Sequence, residues 1–215
     1  MKNISLFKLS VAVSLLLLLG SSSSVLAQQE NKLFFGVGYN ITQPLNNTFT
    51  DKTGLYGGHV EAEYYIDKTY SVGLNVSWNT LLKYIPTKTY ALQYEAGDIT
   101  TDMYNSVYNM AYTLFGRYHF KQSDRFQPFV GLALGAQNTE FAEYYSIYQD
   151  RQTAWGFIAR PEIGTVISIS KNNKTNLITG LDYFYSTNAN KFIDIKNIQG
   201  FEFKVGIQFN LEKRY

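Results

Sequence analysis

From about residue 33 onward, apolar and polar side chains alternate with a period of two, and this constrains the fold more than any other feature. The last segment is the clearest. Phe201, Phe203, Val205, Ile207, Phe209 and Leu211 are separated by Glu202, Lys204, Gly206, Gln208 and Asn210. Successive side chains of a strand point to opposite faces, so this segment has one apolar and one polar or small face. The same rhythm runs through 70–81, with Tyr70, Val72, Leu74, Val76 and Trp78 against Ser71, Gly73, Asn75, Ser77 and Asn79. It recurs in 56–66, 107–120, 128–137 and 153–169, and less cleanly in 33–40 and 175–186. That makes about eight strands, each near the length needed to cross a bilayer at a tilt. After residue 27 no apolar run is long enough for a membrane helix.

The connections alternate in length. Tight turns are expected at Asp67-Lys68-Thr69, 121–125 and 171–174, and long polar loops at 41–54, 82–106, 140–152 and 187–199. Short turns on one rim and long loops on the other are the habit of membrane barrels, and an even strand count puts both termini on the short-turn side. The polar face is rich in Gly, Ser, Asn and Thr, which suits a crowded interior better than a water-facing surface. Tyr39, Tyr56, Tyr64, Tyr70, Trp78, Tyr118, Phe120, Trp155 and Phe201 fall near strand ends on the apolar face, where interfacial girdles are expected. Charged residues are only 17% of the chain and aromatics 16%. Pro161 would remove a ladder hydrogen bond in mid-strand and is read as a bulge.

The first residues read as a secretory signal peptide. Lys2 and Lys8 precede an apolar core ending at Leu19, and Val25-Leu26-Ala27 closes on a small residue. Residues 1–27 are therefore expected to be removed, leaving 28–215 as one barrel domain. The leader takes two lysines and no acid with it, so the net charge of +2 falls to zero. That balance gives no argument for nucleic acid as a partner. The absence of cysteine excludes disulfides, thiolate metal sites, cysteine nucleophiles and a lipid-modified cysteine.

The segment from Gln127 through Pro128-Phe129-Val130-Gly131-Leu132 to Ala136 resembles the fifth strand of small outer-membrane barrels of the OmpA/OmpX-like porin superfamily. Arg160-Pro161-Glu162-Ile163-Gly164 and 200–211 resemble the sixth and eighth. The match is nearest to the "outer membrane protein β-barrel domain" family common in Bacteroidetes, and it spans essentially 28–215. The resemblance implies an all-β fold: a single antiparallel up-and-down transmembrane β-barrel in the outer membrane of a Gram-negative bacterium, termini in the periplasm. It implies lipid, lipopolysaccharide and the barrel-assembly machinery as partners. The terminal Tyr215 resembles an assembly signal, although Glu212-Lys213-Arg214 departs from a clean terminal strand.

The polar face points His59, Glu61, Glu63, Arg117, His119, Arg160, Glu162, Asp182, Glu202 and Lys204 inward. A lumen of about eight strands is only wide enough to be filled by side chains, so these charges must pair. Arg160, Glu162, Asp182, Glu202 and Lys204 lie on neighbouring strands and are expected to form one network. That network is either a structural plug or a gated polar path for water and small ions. In the loops Tyr84, Tyr90, Tyr94, Tyr104, Tyr144, Tyr145 and Tyr148 are candidates for recognition of an extracellular partner, since tyrosine is favoured at such surfaces. The alternative is that these segments simply extend the strands as a hairpin.

Catalytic, cofactor and metal residues are not expected. Gly36-Val37-Gly38 lies within a strand and has no following helix, and His59-Val60-Glu61 lacks further ligands. Some barrels resembling this one hydrolyse or transfer lipid A acyl chains through Ser and His, but no convincing Ser–His–acid set is found. The other alternative is a soluble periplasmic lipocalin-like barrel, whose apolar face would line a ligand cavity.

Overall fold

The structure, a computed structural model, describes residues 32–45, 49–91, 97–120, 125–145, 148–170, 174–191 and 193–211, with backbone alone at 32, 90, 91 and 99. The expected leader, Tyr94 and Tyr215 lie outside the described residues. Eight strands follow in chain order: β1 (Lys32–Leu45), β2 (Tyr56–Tyr65), β3 (Tyr70–Ala91), β4 (Asp98–His119), β5 (Phe126–Tyr145), β6 (Tyr148–Ser168), β7 (Thr175–Ser186) and β8 (Ile198–Asn210). Each pairs antiparallel with the next, and β8 returns to β1, so the ring closes and no strand edge is left at the level of the wall.

Alternation sets which side chain goes where. Along β8, Phe201, Phe203, Val205, Ile207 and Phe209 are exposed, whereas Glu202, Lys204 and Gln208 are buried in the lumen. Leu74, Leu114, Trp155 and Ile163 are likewise exposed on the outside. A closed ladder satisfies its own backbone, and an exterior of this kind suits hydrocarbon. It also rules out the lipocalin-like arrangement, which would place these same residues inside. All nine girdle aromatics lie on the outer surface. Tyr70, Tyr118 and Phe120 pack edge to face at one rim, and Tyr112 stacks on Trp155 toward the other.

The described chain begins and ends on the short-turn rim, where Leu211 N donates to Leu33 O. The β2–β3 turn is built by Asp67, whose Oδ1 accepts from the backbone N–H groups of Thr69 and Tyr70 at 2.6 and 2.7 Å. On the other rim, two of the expected long loops are mostly strand. β3 and β4 stay paired from the barrel to Ala91 and Asp98, and β5 and β6 to Tyr145 and Tyr148. Thr, Tyr and Ile in 85–91 and 98–104 favour extended backbone, so the ladder runs on past the barrel. β2 and β7 stop lower, and β3 to β6 therefore rise as a four-stranded external sheet.

Pro161 is not a bulge. Its pairing with β5 is continuous opposite Leu132, and on the β7 side the ladder lapses at Arg160 and Pro161 and resumes in the same register at Glu162. The register shift lies instead between Ile85 and Lys88, around Pro86 in the external sheet.

Candidate functional site

The lumen is layered. Its middle holds the charges, and all eight acidic and basic candidates are buried there. Arg117 on β4 is the hub. Its Nε donates to Glu162 Oε1 at 2.7 Å, and its two terminal nitrogens reach Glu63 at 2.9 Å and Glu61 at 3.0 Å. The guanidinium plane lies between the Phe115 and Phe129 rings, 4.1 and 4.7 Å from their centroids. Gly131 makes room for this: a Cβ there would come within 2.6 Å of Glu162 Oε1 and 3.0 Å of Arg117 Cγ. Lys204 Nζ bridges Glu162 and Asp182, both at 2.8 Å, and Gln208 Nε2 donates to Glu61 and Glu63.

A second group surrounds Glu202. Arg160 approaches it at 3.6 Å and donates to Ser77 Oγ at 2.9 Å. Asn40, Thr42 and Asn79 also donate to the Glu202 carboxylate. His59 meets Asn40 Oδ1 at 2.6 Å. The five charges expected to cluster on β6 to β8 thus divide between two groups. Arg117 joins β2 to β6 across the lumen, which strand adjacency alone does not specify.

Both ends of the lumen are apolar. On the external side Leu81, Val107, Phe141, Ile158, Phe184 and Ile198 point inward, and Phe49 and Ile195 from the β1–β2 and β7–β8 connections pack onto them. Each large apolar side chain buried in this way contributes roughly 1.5–3 kcal/mol. At the short-turn end a run of rings crosses the mouth: Phe34 to Tyr65 at 5.4 Å, Tyr65 to His119 at 4.9 Å, and His119 to Phe129 at 5.6 Å. Val166 and Ile178 pack against Phe129. Phe49 and Ile195 were missed in the sequence because they sit in polar connections without alternation.

One Ser–His–acid trio does occur. Ser71 Oγ donates to Glu63 Oε1 at 2.6 Å and meets His119 Nε2 at 2.9 Å. A nucleophile's base must be oriented by a carboxylate on its other nitrogen. Here Glu63 approaches His119 from the Nε2 side at 3.4 Å, and His119 Nδ1 has no hydrogen-bond partner. All three side chains are buried. Among the described residues no three acidic or histidine side chains converge as a metal site.

The tyrosines separate onto two faces of the external sheet. Tyr84, Tyr104 and Tyr144 stand in register on β3, β4 and β5, on the face that continues the barrel exterior. Tyr84 and Tyr104 are about half exposed, and their rings lie 5.1 Å apart. Tyr145 and Tyr148 stack at the tip on the opposite face. Tyr90 lies on β3 opposite Ile99, and its side chain is outside the described residues.

No family model matches the chain, and no curated protein matches it. Solved structures do. Neisserial surface protein A is 15% identical with a TM-score of 0.52, and the match covers 84% of this chain and 97% of that one. The attachment invasion locus protein of Yersinia pestis is 10% identical with a TM-score of 0.51, covering 85% of this chain and 100% of that one. At such identity the likeness concerns the fold. This chain is a small eight-stranded antiparallel β-barrel of the outer-membrane type.

Proposed function

We propose that the protein is a closed outer-membrane anchor that holds the tyrosine-rich sheet of β3 to β6 on the cell surface for contact with an extracellular partner. The observation that carries this reading is the pairing of a lumen covered by apolar side chains at both ends with a tyrosine row well beyond the girdle, Tyr84 and Tyr104 exposed and Tyr144 partly so. From Trp78 to Tyr84 the strand advances about 20 Å, at roughly 3.3 Å per residue. Tyrosine there offers large, fairly rigid contact area. In this reading the leader is cut after Ala27, the barrel-assembly machinery inserts the domain, and lipid and lipopolysaccharide surround its exterior.

The apolar layers weigh against the solute-passage reading, and the buried, wrongly oriented Ser71–His119–Glu63 trio weighs against lipid A chemistry. Two measurements test the proposal. After a carbonate wash the protein should stay in the membrane and show a heat-shifted band on a gel; release into the soluble fraction would sink it. Purified barrel in a planar bilayer should give no steady conductance, and a stable open level would replace anchoring with passage.

A further inference from the structure

Just beyond the external apolar layer, on the sheet face continuous with the lumen, Lys83, Asn105, Glu143 and Asp150 stand in register on β3, β4, β5 and β6. Opposed residues of an antiparallel pair have Cβ atoms about 4.5–5.5 Å apart, and like charges so placed repel. Glu143 and Asp150 are such a pair. Arg151 does not compensate them, because it turns to the other face, where it meets Glu140 at 3.1 Å and the Tyr144 hydroxyl at 3.2 Å. Lys83 is held by Asp51 at 3.1 Å.

A second observation is independent of the acids. Asn105 is only 4% exposed, and its buried Oδ1 has no hydrogen-bond partner. Its Nδ2 donates to the Phe49 carbonyl at 3.1 Å, and Glu143 on β5 and Lys83 on β3 flank it in register. A buried acceptor without a donor calls for a water or an ion.

We propose that Asn105 Oδ1 and the carboxylates of Glu143 and Asp150 form a site for a hard divalent cation of the Ca²⁺ kind. Amide and carboxylate oxygens are its preferred donors, water completes the shell on the exposed side, and a charge of two cancels both acids. Ca²⁺ suits the site better than Mg²⁺ because ligands fixed on three strands do not converge octahedrally, and Mg²⁺ tolerates little departure from that geometry. Once bound, the ion ties β4, β5 and β6 together and, through Asn105 and Phe49, couples the external sheet to the apolar layer beneath it.

The test uses the refolded full barrel in detergent with Tb³⁺ as the probe. The Tyr145 hydroxyl donates to Asp150 Oδ2 at 2.7 Å, so tyrosine excitation should sensitise Tb³⁺ emission. Ca²⁺ should displace the signal with a Kd on the order of 10⁻⁴–10⁻³ M, the range of extracellular sites. Glu143→Gln should weaken Ca²⁺ about tenfold and Asn105→Asp should tighten it severalfold, since ligand charge sets affinity. Glu140→Gln, on the opposite face of the same strand, should change nothing. Asp150→Asn stands in if Glu143→Gln loses its heat-shifted band. The proposal is overturned if Glu140→Gln and Glu143→Gln weaken the signal alike, or if Ca²⁺ fails to displace it. It is equally overturned if stability follows pH but not Ca²⁺, because the two acids would then share a proton.

Discussion

On β3, β4 and β5 an outward row of leucines, Leu74, Leu114 and Leu134, is followed ten residues farther along each strand by a row of tyrosines, Tyr84, Tyr104 and Tyr144. The strands, the pairing and the face are the same, and only the surrounding medium differs. At the leucine row the outward face meets hydrocarbon. At the tyrosine row it meets water, so an amphipathic ring replaces an aliphatic side chain. The inward faces differ as well. In the lumen each carboxylate faces a cation or several donors, because an unpaired buried charge is too costly. In the external sheet Glu143 and Asp150 oppose each other, and among the described residues no cationic side chain acts on Glu143. Enclosure enforces compensation, and partial exposure relaxes it.

The largest expected effect lies in the lumen. Arg117→Ala takes the guanidinium from Glu61, Glu63 and Glu162, leaving Gln208 on the first two and Lys204 on the third, and should cost about 3–5 kcal/mol in a urea titration of the folded barrel. Arg160→Ala should cost distinctly less, since Asn40, Thr42 and Asn79 still hold Glu202. If neither variant moves the midpoint, the network is not structural.

Next come charges placed on the two rows. Leu114→Arg should lose about 2–4 kcal/mol and assemble poorly, the penalty for a cation at the lipid midplane. Tyr104→Arg should stay within about 0.5 kcal/mol of the parent, as surface changes usually do. Similar fractions of heat-shifted protein for the two would mean that the leucine row does not face lipid. Val205→Arg against Gln208→Arg asks the same question across one strand, where the lumen variant should suffer less because Glu61 and Glu63 already receive Gln208.

Replacing Tyr84, Tyr104 and Tyr144 together with serine should leave the heat-shifted band in place. In the anchoring reading proposed above, adhesion of the barrel-bearing cell to the extracellular partner should nevertheless fall severalfold. Retained binding would move the recognition surface elsewhere.

The smallest effect is one of pH, measured in a chelator. The Glu143 carboxyl is pushed up by burial and by Asp150, so ionising it is unfavourable in the folded sheet. The parent therefore gains stability as pH falls through that raised value. Glu143→Gln, neutral throughout, should be the more stable protein above it and equal to the parent below it. A difference that persists on acidification would remove charge as the cause.

Much of this architecture is legible in the sequence, and the reason is specific. Parity along a strand decides inside from outside, so Phe203 and Glu202, or Trp78 and Asn79, can be assigned without knowing their neighbours. Parity does not say which strands face each other across the lumen, so the central place of Arg117 and its reach to Glu61, Glu63 and Glu162 could not be read. It also misled at the ends. Leu81, Val107 and Ile158 lie on the polar face and blur the pattern, yet they form the apolar layer closed by Phe49 and Ile195. Pro161 and Pro86 teach a related lesson. A proline disturbs a ladder only where its missing N–H was needed, and β6 tolerates the loss by a lapse in pairing on one side. The row of Asn105, Glu143 and Asp150 was invisible because it requires the register of three strands.

The two apolar layers have a consequence at the scale of the whole cell. An open barrel adds a leak with every copy, and its abundance is bounded by the permeability its host can survive. A barrel closed at both mouths carries no such bound. In the reading proposed above, its copy number can follow the demand for surface coverage, up to the crowding limit of the membrane, without altering what diffuses across it.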